Sequence, residues 1–166
     1  YEHISLQWRS YYGHAGPITG IAFTDDSTFA SGSYDERVRF SRASDGQLVQ
    51  SVTHDKRVAY LSSSIEGGIT AVALQFSGPG SVKVWNSASG EERLSLDGPA
   101  PQTARVAVSP RGEYIAAGAE RLHGNGPVEV KVWDASSGDL MHTLTGHTVR
   151  ITDLTFSPDG LKLLTC

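Results

Sequence analysis

Val82-Lys83-Val84-Trp85-Asn86 and Val130-Lys131-Val132-Trp133-Asp134 are two copies of one strand pattern, 48 residues apart. A third copy, Arg37-Val38-Arg39-Phe40-Ser41, aligns with them when Phe40 is matched to Trp85, a spacing of 45 residues. After each copy come a glycine turn signal and a second alternating segment, which predicts two strands joined by a tight turn. The three turn signals are Ser44-Asp45-Gly46, Ala88-Ser89-Gly90 and Ser136-Ser137-Gly138. A period of this length is typical of a repeat architecture.

A second pair of strands is predicted upstream of each copy. Ser109-Pro110-Arg111-Gly112 and Ser157-Pro158-Asp159-Gly160 are turn sequences between short β-branched runs, because Pro fixes φ and Gly tolerates a positive φ. Four strands per repeat and no helical period predict an all-β chain with one antiparallel sheet per repeat. Sheets of this size bury both faces by packing radially, so the fold class predicted is a β-propeller of four-stranded antiparallel blades, with about 3.5 blades present.

The blade boundaries follow from the repeat. Residues 1–12 are predicted to be the outer strand of a preceding blade, and residues 145–166 the first strands of a further one. Between them we expect three blades, at residues 13–52, 53–96 and 97–144. Such a chain leaves strand edges and apolar sheet faces open. We therefore expect a piece of a seven- or eight-bladed propeller whose edges are covered by the remaining blades or by another chain.

Composition excludes several classes of function. The formal net charge of −4 and the absence of a Lys/Arg run argue against nucleic-acid binding. No apolar run approaches the roughly 20 residues that span a bilayer, so no membrane insertion is expected. Cys166 is the single cysteine, which excludes an internal disulfide and leaves a cytoplasmic location as the expectation.

The repeat resembles the WD40 family, whose repeats run from a Gly-His to a Trp-Asp dipeptide. Gly13-His14 and Gly146-His147 match the opening, and Trp133-Asp134 matches the closing. The resemblance implies a buried hydrogen-bond set that joins a His, a Ser or Thr, an Asp and a Trp indole. Eight residues match positions of that set: His14, Ser31, Asp35, His54, Trp85, Trp133, His147 and Thr165.

The set is incomplete in every repeat. Phe40 stands in for the Trp of the first repeat, Gly80 for the Asp of the second, and Gly98-Pro99 for the Gly-His of the third. A buried polar group that loses its partner costs roughly 1–3 kcal/mol. We therefore expect the stability of individual blades to be reduced.

No catalytic, metal or cofactor site is predicted. His14, Ser31 and Asp35 have the composition of a catalytic triad, but the resemblance places them inside a blade. The chain also lacks the Cys-x-x-Cys and His-Glu-x-x-His spacings of zinc sites. The expectation is a protein that is not an enzyme.

The resemblance implies a partner-binding face, made of the loops that enter each Gly-His strand and the loops between second and third strands. Seven residues map to it: Tyr34, Arg37, Lys56, Arg57, Arg121, His123 and Arg150. Arg and Tyr are frequent interface hot spots, so we expect a non-enzymatic scaffold for protein or peptide partners, among them acidic or phosphorylated peptides. The alternative is a regulatory or sensor propeller of a larger enzyme or signalling protein whose catalytic domain lies outside this chain.

Overall fold

The computed structural model describes residues 13–75, 81–99, 102–120 and 128–166. These residues form fourteen strands, and no helix occurs among them. The first blade consists of β1 (Ile18–Phe23), β2 (Thr28–Ser33), β3 (Arg37–Arg42) and β4 (Leu48–Thr53). The second consists of β5 (Val58–Ser64), β6 (Ile69–Leu74), β7 (Val82–Asn86) and β8 (Glu92–Leu96). The third consists of β9 (Thr103–Val108), β10 (Tyr114–Ala119), β11 (Val128–Asp134) and β12 (Leu140–His147). The fourth is a hairpin of β13 (Leu154–Phe156) and β14 (Leu163–Thr165).

Within each blade the strands pair antiparallel in chain order, which confirms the predicted all-β blades. The turns explain this pairing. Gly112 and Gly160 have φ of 71° and 75°, and each amide donates to the carbonyl of the Ser three residues earlier. Gly46, Gly90 and Gly138 also have positive φ, and they donate to the carbonyls of Arg42, Asn86 and Asp134 respectively. Glycine adopts this conformation without a Cβ clash.

The core lies between blades rather than inside one. One apolar cluster joins the first and second blades around Phe40 and Trp85, and another joins the second and third around Ile69 and Trp133. A third cluster packs the fourth hairpin onto the third blade through Ile151. The innermost strands β1, β5, β9 and β13 contact one another in that order. The sheet faces that meet between adjacent blades are therefore buried, as radial packing requires.

The alignment of Phe40 with Trp85 and Trp133 is wrong by one residue. Each blade has a register shift between its third and fourth strands, and it falls directly before Ser41, Trp85 and Trp133. Phe40 is equivalent to Val84 instead, and it is buried in the cluster shared with the second blade. A slip of one residue moves a side chain to the opposite face of a sheet. Ser41 thus occupies the position of the tryptophan, and the first repeat lacks the indole for that reason.

Several apolar side chains of the described strands remain uncovered. They lie on the innermost strand of the first blade, on the outermost strand of the third, and on the fourth hairpin. They are Ile18, Ile21, Phe23, Leu140, Met141, Leu144, Leu161 and Leu164. Among the described residues there is no helix of a length and hydropathy that could cross a membrane.

Candidate interaction surface

The polar residues expected in the first blade form one connected group. Ser31 lies 2.8 Å from His14 Nε2, and His14 Nδ1 lies 3.0 Å from Asp35 Oδ2. The carboxylate also accepts the N–H of Ala15 at 2.9 Å and that of Arg37 at 3.1 Å. Burial acts to raise the pKa of Asp35, but the hydrogen bonds from Ala15 and His14 outweigh it and hold the pKa below its ordinary value. The charged carboxylate therefore joins the segment that precedes β1 to the β2–β3 turn.

This group has the composition of a nucleophile, base and orienting acid, but its surroundings favour a structural role. Ser31 is 5% exposed and lies within β2, between paired neighbours on β1 and β3. The Asp35 carboxylate is engaged by His14 and by two backbone amides, that of Ala15 before β1 and that of Arg37 at the start of β3. A catalytic serine needs access to substrate and oxyanion donors beside it. Ser31 does line a cavity of about 270 Å³ on the first blade, but its hydroxyl is engaged in the hydrogen-bond chain through His14 to Asp35, which favours the structural role.

In the second blade the equivalent group is broken. His54 and Trp85 are both in place, with their rings 5.5 Å apart edge to face. Among the described residues neither His54 Nε2 nor Trp85 Nε1 finds a hydrogen-bond partner, although both atoms are buried. The strand registers place Val72 at the position of Ser31, so the hydroxyl that would join the two rings is a methyl group. Gly80, expected at the Asp position, lies outside the described residues.

The other repeats keep parts of the group. His147 Nε2 and Thr165 Oγ1 are hydrogen-bonded at 2.8 Å in the fourth hairpin. In the third blade Ala117 stands where Ser31 does in the first, and Trp133 is 3% exposed within the apolar cluster shared with the second blade. Trp133 is thus a packing residue of the interface between those blades.

His54 should make the protein less stable at acid pH. Burial lowers its pKa below the ordinary 6.5, and the carboxylates of Glu92 and Asp55 offset this only in part. The unfolded chain then binds the proton more tightly, so stability is fully present above about pH 6.5 and is lost as the pH falls through the lowered pKa. We expect His54→Phe and His54→Gln each to flatten the dependence of the free energy of unfolding on pH between 7 and 5, by up to about 1.4 kcal/mol per pH unit. Urea unfolding at several pH values measures this, and an unchanged slope in both variants contradicts it.

The structure describes several of the residues predicted for the partner-binding face, and they lie at the same ends of the strands. Tyr34, in the β2–β3 turn, is 36% exposed, and the guanidinium of Arg57 lies 5.4 Å from its ring centroid. Such a cation–π contact fixes both side chains at the surface. Arg37 and Lys56 are exposed at the same ends of the strands, and Lys56 lies 3.9 Å from Asp55. Arg121 and His123 lie outside the described residues.

A cavity of about 420 Å³ opens on this face where the four blades meet. It brings together Tyr34 and Arg150, the predicted residues of the first and last repeats. Five of its polar residues were not predicted: Gln75, Gln102, Arg105, Glu120 and Thr152. Position in the repeat could have indicated two of them, because Glu120 follows β10 as Gln75 follows β6. Arg105 gave no such signal, since it lies inside β9.

The charged side chains of the cavity include one ion pair, between Arg150 and Glu120. Arg150 lies 3.3 Å from Glu120, and the carboxylate is the more buried partner. In the described part of the chain no three His, Cys, Asp or Glu side chains converge as a metal site requires. The cavity is therefore equipped for hydrogen bonding and ion pairing with a polar ligand.

Comparison with known proteins agrees with the fold. Residues 6–40 and 138–166 match the family model "WD domain, G-beta repeat" (WD40). A structure of U3-55K superposes with a TM-score of 0.77 at 19% identity, covering 89% of this chain and 45% of that one. The crystal structure of the RRP9 WD40 repeats gives 0.75 at 20% identity, covering 89% and 44%. The chain thus spans less than half the length of these structures. No curated protein sequence matches it.

Proposed function

Because residues 6–40 and 138–166 match the WD40 repeat model and the described strands fold as β-propeller blades, we propose that the chain is a non-enzymatic scaffold that binds protein or peptide partners on the face carrying Tyr34, Arg57 and Arg150. The observation that carries the proposal is the cavity on this face, to which all four blades contribute. A site built by several blades holds its shape only when the blades are packed together. Binding there therefore depends on the propeller fold.

The chemistry of the rim supports a protein partner. Tyr34 and Arg57 form a preassembled aromatic and cationic pair, and Val149, beside Arg150, is 69% exposed. Large aromatic and arginine side chains contribute most of the binding energy in protein interfaces. Exposed apolar groups next to them add contact area. The alternative, a regulatory propeller of a larger protein, uses the same surface and is tested by the same variants.

A charge reversal on this face should abolish partner capture. Arg57→Glu combined with Arg150→Glu removes the cation–π contact and places like charges beside Glu120, so each partner should be recovered at least about tenfold less. Capture from cell extract, quantified by mass spectrometry, measures this. Arg111→Glu is the matched control, because Arg111 lies in the β9–β10 turn at the opposite ends of the strands. Equal recovery by the double variant and the wild type excludes this face.

We also propose that further blades cover the exposed apolar side chains of β1 and of the fourth hairpin. The two neighbouring structures are more than twice as long as the matched part of this chain. Uncovered strands with apolar side chains promote aggregation. Continuation of the propeller buries them in the way that the three clusters bury the other faces.

A further inference from the structure

Arg105 is held rigidly at the cavity. Its Nε donates to the carbonyl of Thr152 at 2.8 Å, and its Nη1 donates to the carbonyl of Ala104 at 2.9 Å. Its guanidinium also lies 5.0 Å from the ring centroid of Tyr60 on the neighbouring blade. A guanidinium carries five N–H donors, and these contacts use two of them. Arg105 thus presents free donors in a fixed orientation, at little entropic cost to a ligand.

The charge of Arg105 has no counterion in the described part of the chain. No Asp or Glu described there lies within ion-pair distance of it, and the cavity's own carboxylate, Glu120, is engaged with Arg150. Arg105 is also partly buried between two blades. A partly desolvated cation is stabilised when an anion completes its hydrogen bonds. The arrangement therefore favours an anionic group that enters the cavity.

Two glutamines add neutral hydrogen-bonding groups beside this charge. Gln75 Oε1 is buried without a hydrogen-bond partner in the part of the chain that the structure describes, and Gln102 is 5% exposed. A buried acceptor left unsatisfied is costly, and a peptide N–H supplies the missing donor. The cavity volume, about 420 Å³, accommodates one or two side chains of an extended segment. A peptide with an acidic side chain offers both an anion for Arg105 and a backbone N–H for Gln75, so a peptide ligand suits the cavity.

We propose that this cavity binds the carboxylate of an Asp or Glu side chain from an extended segment of the partner, with Arg105 as its ion-pair partner and Gln75 accepting a backbone N–H. The proposal rests on the function proposed above and names the chemistry of the ligand. A phosphate is an anion too, but phosphate sites use clusters of arginines. Here Arg105 is the uncompensated cation and Arg150 is already paired, which suits a singly charged carboxylate.

The test starts with a displayed library of random twelve-residue peptides selected on the immobilised chain. The strongest peptide is synthesised with Glu, Gln or phosphoserine at its preferred acidic position, and Kd is measured by fluorescence anisotropy. We expect Glu→Gln to weaken binding to the wild type about tenfold or more. Arg105→Gln should cause the same loss for the Glu peptide and remove the difference between the Glu and Gln peptides, as a double-mutant cycle requires for a direct pair.

Controls separate this proposal from the scaffold function. Arg111→Gln, on the opposite face, should leave every Kd unchanged, and thermal unfolding checks the fold of each variant. If Arg105→Gln does not fold, Arg105→Lys keeps the charge and should retain the preference for Glu.

Peptides that require Tyr34 and Arg57 but bind equally well with Glu or Gln overturn the carboxylate site and leave the scaffold function standing. A selection that yields no binder, or only binders indifferent to every variant of this face, contradicts both. Phosphoserine bound tenfold tighter than Glu overturns the choice of a carboxylate.

Discussion

Replacing Trp133 with alanine is expected to lower the free energy of unfolding by about 3–5 kcal/mol, the usual cost of removing a large aromatic side chain from a core. Trp133 is 3% exposed and lies in the cluster that joins the second and third blades. The second blade contributes Val82 and Val84 to that cluster, and the third contributes Ile115. The truncation therefore opens a cavity between blades, where neither sheet can collapse without losing register with its neighbour. A loss of this size is a large part of the 5–15 kcal/mol that stabilises an ordinary domain.

Urea unfolding followed by far-ultraviolet circular dichroism measures the effect without using tryptophan fluorescence. Ile65→Ala is the control, because Ile65 is a large apolar residue that is 52% exposed in the β5–β6 turn, away from the strands that further blades would cover. We expect it to cost less than about 1 kcal/mol, as substitutions at exposed positions do. Similar losses in the two variants contradict the view that the described blades are held together at their mutual interfaces.

Much of the fold follows from local rules that the sequence displays. Turn glycines at fixed offsets from the aromatic strand predicted the hairpins, since the backbone at Gly46, Gly90 and Gly138 requires a positive φ. Similarity of side chains was a poorer guide to register. Phe40 resembles Trp85 in chemistry. The strand pairing and its register shift nevertheless make Ser41 the residue of the first blade that is equivalent to Trp85. Register depends on backbone pairing across strands, which a single strand's residues do not reveal.

The candidate surface was less predictable than the fold. Tyr34 and Arg150 could be assigned because they lie in loops at defined places in the repeat. Arg105 lies in the middle of β9, where a basic residue between apolar neighbours looks like an ordinary solvent-facing position. The hydrogen bond from its Nε to the carbonyl of Thr152, a cavity residue that precedes β13, shows that its side chain reaches the cavity. Contacts between repeats depend on how blades are arranged in space, which no pattern within one repeat encodes.

Val72→Thr is expected to stabilise the protein by about 1–2 kcal/mol, although it introduces a hydroxyl into a buried position. In the first blade Ser31 at the equivalent place lies 2.8 Å from His14 Nε2. In the second, where Val72 takes this place, His54 Nε2 and Trp85 Nε1 are buried and have no hydrogen-bond partner among the described residues. Threonine has nearly the volume of valine, so its hydroxyl can donate to the histidine nitrogen and accept from the indole N–H without a change in packing. Two unsatisfied atoms are then paired by one substitution.

Val84→Thr is the matched control, because it makes the same chemical change on the opposite face of the second blade. Val84 is fully buried among apolar residues of the neighbouring cluster, where a hydroxyl has no comparable pair of ring nitrogens to join. Its expected cost is about 1–3 kcal/mol, so the two variants should differ by about 2–5 kcal/mol in urea unfolding. Introducing Val72→Thr into the His54→Phe variant tests whether the gain comes from the hydrogen bond to His54. Without the ring nitrogen, the gain in the free energy of unfolding should largely disappear. If Val72→Thr destabilises the protein as much as Val84→Thr does, Val72 is not the position at which the hydrogen-bond set of the second blade is broken.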